Sequence, residues 1–444
     1  MNGLLSIAGK MQSNKVLSAV KDGFIDIMPI TIVGSFCTLF QYVLTTPQPG
    51  GISLANIKGL DGLQVLNPIW SHANYGCMNF LAVLIVFMVA FHYADSLGHA
   101  NDKTGPAVAL ASFVTLITTS TTATAPESGE VVTVNGVVAS SYTNASGLFV
   151  AIICGILVPI LYYKLIDSGK LAIKLPDSVP PNVAASFTVL FPTVITIFVV
   201  AIVGFCLENF LGLTAFQLIA KIMSPVEAIM TGLPGYLVVV LIMMLLWWFG
   251  IHGPNVMSAV TTPFMTRMWT INDAIYQATG STKLGTTAMV DGVEESYHII
   301  STPFGSAFFS HTGSGITGGL IIAILLFSKR DDFKAIAKLA IPCGIFNINE
   351  PIIFGIPMVM NPILAVPFFL APVVSVIIGY VLTVIGICPV FVINAPWTTP
   401  TGILGFLASG ANFMGGLCQL IAFASTILIY TPFVIACNSQ TAEA

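Results

Sequence analysis

An all-α polytopic membrane fold is predicted by three observations. Of 444 residues, 56% are hydrophobic and 8% charged, against about 25% charged in an ordinary soluble domain. Apolar segments close to or beyond the ~20 residues that cross a bilayer recur along the whole chain. These segments are uniformly apolar rather than alternating, so the backbone satisfies itself in helices and not in a closed barrel of period-2 strands.

Taken in order, residues 1–23 read as an N-terminal amphipathic, interfacial helix, with Leu4, Leu5, Ala8, Met11, Lys15 and Leu17 mixing apolar and polar character at helical spacing. Asp22, Asp26 and Pro29 interrupt the apolar run that follows, so this is not a signal peptide. Residues 24–167 form a first transmembrane domain, with apolar runs at 24–43, 76–91, 105–118 and 147–166. Two polar excursions divide it. The one at 47–74 is rich in Gly and Pro, and the one at 123–146 has hairpin chemistry, β-branched residues flanking Asn135-Gly136. Residues 168–184 read as a linker, because Pro176, Pro180 and Pro181 resist helix and Lys170, Lys174 and Asp177 suit water. A second transmembrane domain at 185–437 carries runs at 185–207, 235–251, 315–328, 340–360, 363–388 and 402–436. About ten helix-sized units result.

Charge excludes one class outright. The net charge of −4 is thinly spread and no basic run could track nucleic acid. Eight Cys include no CxxC pair and most sit in apolar runs, where a thiol is a small hydrophobe; neither a metal site nor a cofactor is expected. Lys10, Lys15 and Lys21 put the N-terminus in the cytoplasm by the positive-inside rule, as do Lys329, Arg330, Lys334 and Lys338 for a later loop.

Glu350 is the only Asp, Glu, Lys or Arg between Lys338 and Glu443. A charge at membrane depth costs roughly 2.5–3.5 kcal/mol on insertion scales, and its default reading is functional. Pro342, Gly344, Pro351, Gly355 and Pro357 break the run around it, and irregular backbone at that depth must line a cavity or be buried in protein. A re-entrant hairpin would therefore deliver Asn349 and Glu350 to the interior. The segment Trp247-Trp-Phe-Gly-Ile-His-Gly-Pro254 is a second broken helix end, stopped by Gly253-Pro254 and holding His252 beside aromatic faces that suit sugar rings. A satisfied core histidine is the alternative for His252 taken alone. Asp291, Glu294, Glu295 and His298 read as a solvated amphipathic segment, and His92, Asp95 and His99 as a polar helix end. The glycine-rich 311–319 run lacks the Lys of a phosphate loop and reads as close helix packing.

Asn347-Ile-Asn-Glu-Pro351, Gly250-Ile-His-Gly-Pro254 and the opening Lys21-Asp-Gly-Phe-Ile-Asp-Ile-Met-Pro29 together resemble the membrane-embedded IIC component of phosphoenolpyruvate-dependent sugar phosphotransferase systems, in the lactose/cellobiose/diacetylchitobiose branch. The resemblance spans about residues 7–435. It implies a permease component of a sugar phosphotransferase, in a bacterial cell membrane, translocating a β-linked, cellobiose-like disaccharide by an elevator-type movement. It also implies a homodimer joined through the first domain, and sugar 6-phosphorylation by a separate phosphocysteine IIB protein with IIA upstream. Carried over by motif, Glu350 (as base) and His252 would handle the reacting hydroxyl. Asn349, Trp247, Gly253, Asn394 and Trp397 would contact the sugar. The competing reading is a proton-coupled secondary sugar transporter with Glu350 and His252 as the relay.

Overall fold

The computed structural model describes residues 14–47, 53–124, 131–173, 176, 179–356, 358 and 361–438. The expected amphipathic segment at 1–23 thus lies mostly outside the described residues, as do residues 48–52 and 125–130 of the two polar excursions, 174–175 and 177–178 of the linker, and Pro357 of the broken run.

In chain order the helices are α1 (Lys15–Phe40), α2 (Asn67–Met78), α3 (Leu81–Ser96), α4 (Thr104–Thr115), α5 (Leu148–Asp167), α6 (Leu190–Cys206), α7 (Ala215–Thr231), α8 (Leu233–Trp248) and α9 (Gly253–Thr279). After them come α10 (Thr302–Phe308), α11 (Thr317–Phe327), α12 (Asp331–Ile345), α13 (Glu350–Gly355), α14 (Pro362–Val384), α15 (Ile403–Ala408) and α16 (Phe413–Cys437). Two shorter helices, Ser140–Thr143 and Pro181–Thr188, flank α5; the second begins on Pro181, since proline at a helix's first position needs no N–H, so Pro181 does not resist helix there. Among the described residues, six stretches are long and apolar enough to cross a membrane: Lys15–Thr45, Asp61–Ser96, Ala145–Asp167, Leu190–Leu211, Pro362–Val384 and Phe413–Cys437. The bent pair α7 and α8 makes a seventh if it is one span. The difference from ten has a physical origin. The run at 340–360 breaks between α12 and α13, whereas the run at 402–436, which breaks after α15 where Gly410 and Ala411 take left-handed backbone (φ 73° and 58°), still keeps α16 as one span. The helices at 104–115 and 317–327 are apolar but short.

Two small antiparallel hairpins accompany the helices. Strands β1 (Ser120–Thr124) and β2 (Val131–Asn135) pair, but Asn135-Gly136 is not their turn. Asn135 faces Ser120 at the open end of the ladder, and Gly136, at φ 76°, leaves it. Strands β3 (Thr287–Val290) and β4 (Val293–Ser296) are joined by Asp291-Gly292, both at positive φ, as a two-residue I′-type turn requires. The acids at 291 and 294 are exposed on this hairpin.

The chain divides into two compact units, one within 12–29 and 77–226, the other within 30–76 and 227–444. In the first, α3, α4 and α5 pack mutually around Leu81, Ile85, Val86, Phe113 and Tyr162. The His92, Asp95 and His99 group does not form one cluster: His92 meets Asp26 at 2.7 Å, His99 meets Asp167 at 3.2 Å, and Asp95 accepts the Asn101 N–H. In the second unit, α8, α10, α11, α14 and α16 share a core that includes Met244, Phe304, Phe308, Leu320, Phe368 and Tyr430. Close packing by small residues holds there. A Cβ on Gly319 would lie 2.3 Å from Thr426 Oγ1, and one on Gly379 would lie 2.4 Å from the Phe308 ring.

Candidate functional site

The site is built from two interrupted helices of the second unit. Helix α8 ends at Trp248, Gly250 turns the chain at φ 81°, and His252 becomes the N-cap of α9. Its Nδ1 accepts the Asn255 N–H at 3.2 Å, satisfying a helix-start donor that otherwise has no intrahelical partner. The bond also fixes the tautomer. With Nδ1 accepting, the ring proton sits on Nε2, leaving that edge as a hydrogen-bond donor. The Trp247 ring lies 4.6 Å from the imidazole, and Trp247 is 3% exposed with no protein partner for its Nε1–H. A buried orphan donor of this kind costs about 1–3 kcal/mol and suits a site that receives a polar ligand. Trp248 instead donates to the Asn361 carbonyl at 3.3 Å.

Gly253 serves the backbone. A Cβ there would lie 1.9 Å from the Met243 carbonyl oxygen, so the glycine lets α9 start directly against α8.

The second interruption carries the acid. Asn347, left-handed at φ 65°, turns the chain after α12, Asn349 is the N-cap of α13, and Glu350 opens that helix with Pro351 behind it. Proline suits the first turn of a helix, where its missing N–H is not needed. Glu350 is exposed, while Asn347 and Asn349 are buried. The carboxylate lies near enough to His252 to act on it electrostatically, and Phe354 of α13 faces Trp247 at 6.3 Å. Helix α13, which Glu350 opens, therefore lies beside the corner formed by Trp247 and His252.

Asn349 is committed to structure on one side, its Nδ2 donating to the Ser314 carbonyl at 2.6 Å. Trp397, 47% exposed, stands on the loop after Cys388, tied to the acid loop through its backbone, whose carbonyl accepts from Asn347 Nδ2. Asn394 is half-buried on the same loop.

Several polar residues escaped the sequence reading. Asp273, 3% exposed on α9, accepts from Gln277 at 2.6 Å, and Gln277 in turn reaches Asn74 of α2, which donates to Thr38 of α1. Arg267 pairs with Glu227. Gln419, fully buried, braces α15. A lone acid within α9 was a signal for Asp273; nothing local marks the others.

The family model described as "Phosphotransferase system, EIIC" matches residues 21–372. The chain is 32% identical to the cellobiose-specific EIIC component of Lactococcus lactis subsp. lactis (strain IL1403), over 98% of this chain and 96% of that one. It is likewise 32% identical to the oligo-beta-mannoside-specific EIIC component of Bacillus subtilis (strain 168), over 98% and 92%. Among solved structures, the crystal structure of the transporter ChbC, the IIC component from the N,N'-diacetylchitobiose-specific phosphotransferase system, superposes with a TM-score of 0.87 at 29% identity, covering 99% of this chain and 97% of that one.

Proposed function

The chain belongs to the EIIC family of the phosphotransferase system, the integral-membrane sugar permeases, and from that premise we propose that it translocates a β-linked, cellobiose-like disaccharide coupled to its 6-phosphorylation. The observation that carries the reading is the packing of the Glu350 helix end against the Trp247–His252 corner, two interrupted helix ends brought together. A proton-coupled carrier is not favoured, since the family match spans most of the chain.

The chemistry asked of these residues is small. In the proposed step the sugar 6-hydroxyl attacks the phosphorus of a phosphocysteine on a separate IIB protein. The O–P bond forms, the S–P bond breaks and the thiolate leaves. The hydroxyl proton passes to Glu350, which as general base contributes typically about 10²–10⁴-fold. His252, with its ring proton on Nε2, donates to the hydroxyl oxygen and orients it, which makes a neutral imidazole sufficient. The Trp247 N–H meets a sugar oxygen, Trp397 covers an apolar ring face, and Asn349 and Asn394 supply amide contacts. Gly253 contributes through the close backbone approach it permits.

The larger arrangement belongs to the same proposal. About ten membrane-inserted units include re-entrant hairpins around Glu350. The domain at 24–167 joins two copies in a homodimer, 168–184 links, and 185–437 carries the sugar in an elevator-type movement. The N-terminus faces the bacterial cytoplasm, where IIB docks with IIA upstream. The test is a pair of measurements on Glu350→Gln: calorimetric binding of cellobiose and formation of its 6-phosphate with phosphorylated IIB. Binding retained with phosphorylation lost supports the base; phosphorylation at the normal rate refutes it.

A further inference from the structure

Asn347 makes three long-range polar bonds with its side chain. It is 4% exposed. Its Oδ1 accepts the Thr312 N–H at 2.6 Å, and its two amide protons go to the Trp397 and Thr399 carbonyls at 2.5 and 2.8 Å. Three separated stretches, 312, 347 and 397–399, thus meet on one side chain. Asparagine suits the place twice over, because it tolerates the left-handed backbone and supplies both donors and an acceptor.

Two further contacts extend the clamp. Asn349 Nδ2 holds the Ser314 carbonyl, and Gly313 comes so close that a Cβ would lie 2.4 Å from the Asn349 amide carbon. At the far end of the Trp397 loop, Gln419 Oε1 accepts the Gly402 and Gly405 N–H groups at 2.7 and 2.8 Å, and its Nε2 donates to the Ala307 carbonyl at 3.0 Å. Thr312, Gly344, Ile345, Pro400 and Thr401, neighbours of the stapled positions, line a cavity of about 340 Å³. Side-chain amides of Asn347, Asn349 and Gln419 thus tie these loops together.

We propose that Asn347 is a positioning residue that fixes the Trp397 platform to the Glu350 loop, so that recognition of a sugar ring face and handling of its hydroxyl occur on one rigid piece. The inference rests on the sugar-site reading above. Misplacement by about 1 Å is enough to cost a hundredfold in a reaction set by orientation, which is why one staple matters.

The test is a double-mutant cycle on the full-length chain in detergent, reading cellobiose affinity. Asn347→Asp keeps the acceptor for Thr312 but turns an oxygen toward the two carbonyls. Affinity is expected to fall about tenfold, the scale of leaving buried polar groups unpaired. Trp397→Ala weakens binding by itself, and the double variant is no weaker than Trp397→Ala alone. Additive losses overturn the proposal. Hydrogen exchange on the unmutated chain gives a readout that needs no variant: saturating cellobiose should protect 309–316 and 397–401 together, and protection of one without the other also overturns it. If Trp397→Ala leaves affinity unchanged, the sugar-contact role of Trp397 fails, and the staple is judged by the exchange result.

Discussion

Replacing Glu350 by Gln keeps the shape of the side chain and removes its capacity to take a proton. Turnover with phosphorylated IIB should fall by about 10²–10⁴-fold with sugar still bound. His252 offers a sharper separation, because its Nδ1 caps α9 and so leaves the ring proton on Nε2. Asparagine is among the best N-caps, so His252→Asn should keep the thermal midpoint of the unmutated chain while sugar phosphate formation drops. A variant that phosphorylates normally would limit His252 to capping. At this scale Glu350 was legible in the sequence because an isolated acid in an apolar stretch is an energetic anomaly. Asn347 was not. Its three partners lie 35, 50 and 52 positions away, and no local pattern announces a contact made across the fold. The orphan Trp247 N–H was equally invisible, since an indole in an apolar run looks like core until its neighbours are known.

The interrupted helices set where these side chains can be. Gly253 is the junction of α8 and α9, and a methyl there would press on the Met243 carbonyl at 1.9 Å. Gly253→Ala is expected to destabilise by about 1–3 kcal/mol, the usual range for overpacking against unyielding backbone. A lowered thermal unfolding midpoint in detergent would show it, with sugar affinity reduced because His252 is adjacent. An unchanged midpoint would mean the junction can open without loss. Proline and glycine made the breaks at 250–254 and 342–355 readable in advance. The break after α15 was hidden: Gly410 hints at it, but Ala411 in left-handed backbone has no sequence signature, so 402–436 read as one span. Asn135-Gly136 misled in the opposite direction. Its turn chemistry is real, yet the ladder closes elsewhere and the pair serves as the strand's exit.

For the whole molecule, composition sufficed to predict a polytopic helical membrane protein, and the described helices bear that out with six or seven candidate spans. The division into two compact units interleaves the sequence, because 30–76 joins the later part of the chain. Leu39 and Tyr42 pack with Met268, Ile275 and Tyr276 in that unit, a pairing that hydropathy alone has no means to signal. A consequence at this scale concerns the phosphoryl donor. The purified chain alone should bind disaccharide and leave it unmodified, with 6-phosphate appearing only when phosphorylated IIB is supplied. The most direct test of the central claim places the chain in sealed vesicles with phosphorylated IIB inside and labelled cellobiose outside, and identifies the label that accumulates. The account predicts cellobiose 6-phosphate in the lumen, at a rate indifferent to an imposed pH gradient. Unmodified cellobiose accumulating under a pH gradient without IIB would contradict it.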